Sequence, residues 1–159
     1  MDAIGYKKPS HWSNSAIPAG KENHPVVNVS WDNAQKFCQW AGVRMPTEQE
    51  WEKAAGGVDG RAYPWGNEAP DTQRCNFNKQ VGDTTPVGQY PKGVGPYGCL
   101  DMAGNVCEWC DNRLYAAGGY IIRGGSFAND WASVGCVACL SHQNGSFDDL
   151  GFRVASSSF

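Results

Sequence analysis

The sequence has few charged residues and no long apolar run. Charged residues make up 18% of its 159 positions, against about 25% in typical soluble domains, and the formal net charge is −3. Such a weakly acidic chain lacks the basic surface that attracts phosphates, so we expect neither nucleic-acid binding nor electrostatic docking on anionic membranes. No apolar stretch approaches the roughly 18–20 residues that span a bilayer, and residues 1–8 lack the apolar core of a secretory signal.

The number of cysteines is odd, which excludes a framework in which every cysteine is paired within the chain. The seven cysteines are scattered, at Cys38, Cys75, Cys99, Cys107, Cys110, Cys136 and Cys139. The two C-x-x-C pairs, 107–110 and 136–139, are separated by 25 residues, which is wider than the roughly 15–20 of such zinc sites. If a strand carries the first pair, its two thiols point to opposite faces. We therefore expect reduced thiols that pack as small apolar side chains.

Regular secondary structure is sparse in the middle of the chain. Residues 57–100 contain eight glycines and five prolines, and neither helical nor strand periodicity is sustained there. Twenty glycines and seven tryptophans in the whole chain indicate an irregular fold in which large aromatic rings fill the core. The length fits one domain over 1–159, with the polar residues 1–23 as an N-terminal arm.

Capping signals predict two helices. Ser30 precedes an amphipathic stretch, and Gly42 provides its left-handed C-terminal end. Thr47 and Glu50 form a capping box before a second helix, which the glycines at 56–57 end. Short apolar runs predict strands at 26–29, 106–109, 120–123 and 152–155.

Seven short motifs occur in order along the chain. They are HPVVNVSW at 24–31, AGVRMPTEQEWE at 41–52, PWG at 64–66, TPVG at 85–88, DMAGNVCEW at 101–109, RGGS at 123–126 and LGFR at 150–153. With these motifs the chain, over residues 24–155, resembles the formylglycine-generating enzyme (sulfatase-modifying factor) domain family. The resemblance implies an α+β, C-type-lectin-like fold with two helices, a small mixed sheet and much irregular loop.

Catalysis in this family depends on two thiolates, and the chain lacks both. The resemblance implies an enzyme that oxidises the cysteine of a Cys-x-Pro-x-Arg peptide with copper(I), a soft ion that suits thiolate ligands. Counted forward from 123–126, the two thiolate positions are Asn129 and Val134. We therefore predict a protein that is not an enzyme and binds no copper. A copper-dependent oxidase with displaced thiols, at Cys136 or Cys139, is the alternative.

Calcium is the metal that the resemblance implies. Family ligand positions fall on Asp101, Gly104, Val106 and Glu108 for a first site, and on Asn76 and Phe77 for a second. Hard oxygen donors in irregular loops suit this ion, which would have a structural role. The later ligands of the second site are out of register, because Asp83 does not align with them. Without an ion, Glu108 would be a buried carboxylate that accepts from neighbouring backbone N–H groups.

The stretch 128–149 is the remaining candidate for a functional surface. Polar side chains and a few aromatic rings are mixed there, as in binding loops on rigid scaffolds. The predicted ligand-binding residues are Asn129, Asp130, Trp131, Ser133, Val134, Val137, Ser141, His142, Gln143, Asn144 and Phe147. Trp131 is either a binding anchor or a ring of the core. We expect the flanks to be buried, with Phe152 and Val154 pointing inward.

One branch of the family comprises the variable proteins of diversity-generating retroelements in bacteria, phages and other viruses. There, a C-terminal segment that ends in a Gly-Phe-Arg motif is mutagenised to diversify a ligand-binding face. The resemblance therefore implies a non-catalytic module whose diversifiable face, at about 123–155, binds a protein or a cell-surface ligand. A structural or sensor domain of a larger protein is a further alternative. Reduced thiols favour a cytoplasmic or virion-associated location, and the sequence carries no signal for the oligomeric state.

Overall fold

The computed structural model of the protein describes residues 9, 12, 16–114 and 118–156. Most of the predicted N-terminal arm, residues 1–23, lies outside the described residues. The elements in chain order are helices α1 (Trp31–Ala41) and α2 (Glu48–Gly56), a 3-10 turn (Pro91–Gly93), and strands β1 (Cys107–Leu114), β2 (Gly119–Arg123), β3 (Cys139–His142) and β4 (Leu150–Phe152). Among the described residues, no helix is long and apolar enough to cross a membrane.

Both predicted helices are confirmed, and local hydrogen bonds define their ends. The Ser30 hydroxyl accepts from the Asn33 N–H at 3.3 Å at the start of α1, and Gly42 ends that helix with a φ of 68°. In the capping box of α2, the Glu50 N–H donates to the Thr47 hydroxyl at 3.2 Å and the Glu50 carboxylate accepts from the Thr47 N–H at 2.9 Å. These bonds satisfy backbone donors that a helix start otherwise leaves unpaired.

The sheet has four strands in the order β3-β2-β1-β4. The pairs β3–β2 and β2–β1 are antiparallel, whereas β1–β4 is parallel, so the sheet is small and mixed as predicted. Side chains of β1 alternate between its faces: Cys107 and Trp109 join the cluster that contains α1 residues, and Cys110 joins the cluster that contains α2 residues. The helices therefore cover opposite faces of the sheet.

Tryptophan rings fill the core, as the composition predicted. Trp31, Trp51 and Trp109 are buried, and each indole N–H has a partner. They donate to the Cys110 carbonyl at 2.8 Å, the Glu108 carboxylate at 2.7 Å and the Val29 carbonyl at 2.9 Å. Each ring thus packs apolar surface without leaving a buried donor unsatisfied.

The strand predictions need three corrections. No strand forms at 26–29, because Asn28 has a φ of 57°, which is incompatible with an extended chain. The last predicted strand is instead β4, and Val154 is 48% exposed rather than buried. A strand also lies within the stretch 128–149, where we predicted only a polar loop.

Residues 57–100 form an irregular loop region, as predicted, with the 3-10 turn as their only regular helix or strand. Side chains from the rest of the chain fix this region. Tyr63 and Phe77 pack in a buried cluster with Val134. The Asn105 side chain accepts from the Thr85 N–H at 2.9 Å and donates to the Thr85 carbonyl at 3.1 Å.

Candidate ligand-binding face

The segment 127–149 lies on a buried frame formed by residues 123–126 and 150–151. Two glycines of this frame allow close backbone approach. A Cβ on Gly125, whose φ is 66°, would lie 2.7 Å from the Ser133 carbonyl oxygen. A Cβ on Gly151 would lie 2.4 Å from the Val26 carbonyl oxygen. The segment therefore packs directly against the main chain at Gly125, and the frame packs equally closely against Val26 at Gly151.

Arg123 ties the frame to helix α2. Its side chain is 2% exposed, and its guanidinium pairs with Glu48 at 3.0 Å and also with Glu52. The same guanidinium donates to the carbonyls of Cys136 and Ala138, at 3.3 and 3.2 Å. One buried cation thus fixes the backbone of the segment relative to α2 and β2.

A second ion pair joins strand β1 to the residue that follows strand β4. Glu108, whose side chain is 7% exposed, accepts from Arg153 Nε at 2.5 Å and Nη2 at 2.8 Å. Its Oε2 also accepts from the indole N–H of Trp51 at 2.7 Å. The prediction that backbone N–H groups would donate to a buried Glu108 is therefore wrong. Glu108 is buried, but the Arg153 and Trp51 side chains donate to its carboxylate. Because bidentate pairs are geometrically specific, this one fixes β4 against β1.

In the first predicted calcium site, the Glu108 carboxylate already pairs with a cation, the Arg153 guanidinium. This group also donates to the Asp101 carbonyl at 3.2 Å. The Asp101 carboxylate accepts from the Gly88 N–H at 2.6 Å, and burial raises the pKa of this carboxyl. The two other predicted ligand residues, Gly104 and Val106, are both buried. Calcium would have to share Glu108 with Arg153 and stays a prediction here.

The second predicted loop offers one unused oxygen. Asn76 is 1% exposed, and its Oδ1 has no hydrogen-bond partner. The neighbouring Phe77 carbonyl accepts from the Gln80 N–H at 3.1 Å, and the Asp83 carboxylate pairs with Lys21 at 2.7 Å. Within the described residues, no three His, Cys, Asp or Glu side chains form a metal-binding group. This one unused oxygen is far fewer than the six to eight ligands that calcium takes, so this site also stays a prediction.

The two residues at the thiolate positions face the interior. Asn129 Oδ1 accepts from the N–H and the hydroxyl of Ser126, at 2.8 and 2.9 Å, and contacts the Cys107 sulfur at 3.5 Å. Val134 is 0% exposed and packs beside Tyr63. The prediction that Val134 contacts a ligand is therefore wrong. Asn129 is half-buried, and its amide oxygen supports the turn after the frame rather than a ligand.

None of the seven cysteines is disulfide-bonded in the structure. Burial raises the pKa of Cys136 to about 11, and the pKa values of Cys107 and Cys110 to about 12. Cys139 is exposed, yet desolvation and the neighbouring Glu48 raise its pKa as well. Desolvation therefore disfavours the thiolate form of these four cysteines, which is the form that acts as a nucleophile.

Most other predicted ligand-binding residues point outward. The exposed members, here called the outward set, are Asp130, Trp131, Val137, Ser141, Gln143, Asn144 and Phe147. Trp131 is 63% exposed and Val137 is 73% exposed, so Trp131 is not a ring of the core. Ser133 and His142 are half-buried. The outward set forms the solvent-facing side of a segment whose backbone the frame holds.

Strand β3 and the residues after it order the second half of the segment. Each of the four β3 residues pairs with β2, from Cys139 opposite Arg123 to His142 opposite Tyr120. The His142 and Phe147 rings lie 4.1 Å apart between centroids, and the Asn144 amide donates to Asp32 at 2.7 Å. Local sequence pattern does not predict this strand, because Leu140 is its only strongly apolar residue.

Comparisons with known proteins agree with this architecture. Residues 1–158 match the family described as sulfatase-modifying factor enzyme 1-like domain. The chain is 36% identical over 169 residues to the inactive C-alpha-formylglycine-generating enzyme 2 of Bos taurus, covering 91% of this chain and 56% of that protein. It is 46% identical over 136 residues to the formylglycine-generating enzyme of Thermomonospora curvata, covering 69% of this chain and 44% of that protein. The chain thus spans about half the length of these curated relatives.

A solved structure shares the fold. Variable protein 1 of Treponema denticola superposes with a TM-score of 0.69 at 22% identity, over 93% of this chain and 77% of that one. Together with the two helices and the mixed sheet, this likeness confirms the predicted α+β, C-type-lectin-like fold.

Proposed function

The chain belongs to the sulfatase-modifying factor enzyme 1-like family, and from this premise we propose that it is a non-catalytic ligand-binding module. Its diversifiable face is the segment at about 123–155, and its ligand is a protein or a cell-surface molecule. One observation carries this function: seven exposed side chains stand on a backbone fixed by the buried frame and Arg123. Rigid backbone with variable, exposed side chains is the arrangement of loop-based binding surfaces.

The chemistry of the outward set suits a macromolecular surface. Trp131 and Phe147 provide aromatic area, and exposed aromatic side chains are frequent energetic centres of protein interfaces. Ser141, Gln143 and Asn144 add hydrogen-bonding groups that adapt to different partners. The name of the Treponema denticola variable protein supports extending the idea of a diversified face to this chain.

The residues at the predicted thiolate positions support the absence of oxidase catalysis. The two thiolate positions carry an inward amide, Asn129, and a buried aliphatic side chain, Val134. The nearby Cys136 is buried and Cys139 is exposed, and desolvation raises the pKa of both thiols, which disfavours their thiolate forms. Its similarity to a relative named as inactive accords with this proposal. Unpaired thiols also fit a cytoplasmic or virion-associated location better than a disulfide-rich secreted one.

We expect no conversion of a Cys-x-Pro-x-Arg peptide to formylglycine by this protein with copper and oxygen. The Thermomonospora curvata enzyme, assayed by mass spectrometry under the same conditions, is the positive control. Product that forms with the wild-type chain and disappears in Cys136→Ser or Cys139→Ser would contradict the proposal and establish an oxidase with displaced thiols.

The binding proposal is tested with two matched libraries. In the first, Trp131, Val137, Ser141, Gln143 and Phe147 are randomised together and selected against an immobilised immunoglobulin domain. We expect most members to remain folded, because each exposed substitution changes stability by about 0.5 kcal/mol or less. We also expect selected members to bind the bait where the parent chain does not. Thermal unfolding and surface plasmon resonance measure the two properties.

The second library randomises the inward residues Asn129 and Val134. It has only two variable positions, yet we expect most of its members to unfold and none to gain bait binding. Unfolding of most members of the first library, or failure of every folded member to bind, would show that the ligand site lies elsewhere. A neighbouring reverse-transcriptase gene with a near-copy of the DNA for residues 123–155, differing at adenines, provides an independent genomic check.

A further inference from the structure

The chain contains a single Asn-Gly pair, Asn144-Gly145, and this pair lies in the segment 127–149. In such a pair the backbone nitrogen of the glycine can attack the side-chain amide carbon of the asparagine, because glycine has no Cβ that hinders the approach. Asn144 is exposed, and the pair lies between β3 and β4, outside both strands. Neither a helix nor a strand therefore fixes the backbone at the reacting atoms.

Both reacting groups of the pair are available. Among the hydrogen bonds of the described residues, none uses the Gly145 N–H, which supplies the attacking nitrogen. The Asn144 side chain donates through Nδ2 to the Asp32 carboxylate at 2.7 Å. This bond occupies the nitrogen that would leave and not the carbon that would be attacked. Because the bond is exposed to solvent, water competes with it.

We propose that Asn144 is a site of spontaneous deamidation. The Gly145 nitrogen bonds to Asn144 Cγ, the bond from Cγ to Nδ2 breaks, and ammonia leaves with the proton of the Gly145 N–H. Water then opens the resulting succinimide ring at either carbonyl, which yields aspartate or isoaspartate. No atom is oxidised or reduced, and water is the co-reactant. The inference goes beyond the proposed binding function and does not depend on it.

The product differs from the parent chain in charge and in contacts. Residues 131–147 contain no Asp, Glu, Lys or Arg, so the new carboxylate at 144 is the first in this stretch. It replaces the amide that now donates to Asp32. Two carboxylates at hydrogen-bond distance repel each other and share no proton at neutral pH. Deamidation therefore breaks the side-chain link between the segment and the first turn of α1.

Peptide mapping by mass spectrometry tests the site. The intact protein is incubated at 37 °C and mildly alkaline pH, where an amide nitrogen loses its proton more readily, and is digested after increasing times. Asn67 and Asn78 are exposed but precede residues with long side chains, so they serve as internal controls. We expect Asn144 to convert at least about tenfold faster than either control, a barrier difference of about 1.4 kcal/mol.

Two variants complete the test. Asn144→Gln keeps an amide but needs a larger ring, and it should show no conversion at 144. It is preferable to a substitution of Gly145, where a Cβ would lie 2.8 Å from the Phe147 ring. Asn144→Asp imitates the product and should melt at a lower temperature than the wild type. That difference should shrink as salt is added, because salt screens exposed charges.

A synthetic peptide of residues 141–148 reports the reaction rate without the fold. If the peptide converts and the intact protein retains Asn144, the fold protects the pair and the inference is wrong. Equal rates at Asn67, Asn78 and Asn144 would also contradict it. A melting temperature of Asn144→Asp that equals that of the wild type at every salt concentration would exclude the loss of the link to α1.

Discussion

Replacing Val134 with aspartate is expected to lower the free energy of unfolding by about 3–5 kcal/mol, the range for an uncompensated buried charge. Val134 is 0% exposed and packs with Tyr63, Phe77 and Ala103, and its buried cluster contains no cation. The carboxyl would respond by raising its own pKa above the usual value of about 3.9. The unfolded chain then gains more from ionisation as pH rises, so the loss of stability should be larger at pH 7 than at pH 4.

Val137→Asp is the matched control. It introduces the same carboxyl three residues later, at a side chain that is 73% exposed, and should change stability by about 0.5 kcal/mol or less. Urea denaturation of both variants at pH 4 and pH 7 provides the measurement. Equal, small effects would show that Val134 is accessible and would restore it to the candidate binding residues.

Replacing Glu108 with glutamine is expected to cost about 3 kcal/mol of stability. The substitution keeps the side-chain shape and an acceptor for Trp51, but it removes the charge that Arg153 pairs with. The estimate is at the low end of the range for breaking a buried pair, because the Arg153 side chain is still 27% exposed. Chemical denaturation measures the loss, and β4 should be the first strand to lose amide protection.

The double variant Glu108→Gln/Arg153→Met completes a mutant cycle. If the two charges stabilise each other, the double variant loses less than the two single variants together. Simple addition of the single effects would show that the pair contributes little and that Glu108 matters through Trp51 alone.

The same Glu108→Gln variant also separates the ion pair from calcium. An ion in the loop at 101–108 would stabilise the wild-type chain by about 2.7 kcal/mol at a hundredfold excess over Kd. That gain would vanish on chelation with EDTA and would be absent in the variant. Melting of the wild type that is the same in calcium and in EDTA would leave Arg153 as the cation that neutralises Glu108.

Local sequence signals were sufficient for both helices and for the strands β1 and β2, and insufficient for β3 and for residues 26–29. The caps at Ser30 and at Thr47 act over three residues, so the sequence shows them directly. β3 instead depends on β2 to pair with, and its own residues carry no alternating pattern. At 26–29 an apolar run suggested a strand, but the left-handed Asn28 interrupts it. Strands are decided by distant partners, which local propensity does not report.

For the candidate site, the motifs located the segment but not the direction of its side chains. The spacing from 123–126 predicted the thiolate positions at Asn129 and Val134, and composition predicted the stretch 128–149 as a surface. Both conclusions depend only on which residue types occur in which order. Motif spacing and composition do not distinguish the buried Val134 from the exposed Val137. Whether a side chain points inward or outward depends on packing against residues far away in the sequence.

The sequence by itself therefore determined the family, the two helix ends, the irregular middle region and the absence of catalytic thiolates at the expected positions. Each of these depends on residue identity or on contacts within a few positions. The tertiary structure decided that Asn129 and Val134 face inward, that Arg153 neutralises Glu108, and that residues 139–142 pair with β2 as a strand. These features join residues 16 or more positions apart, and only the folded chain brings such residues into contact.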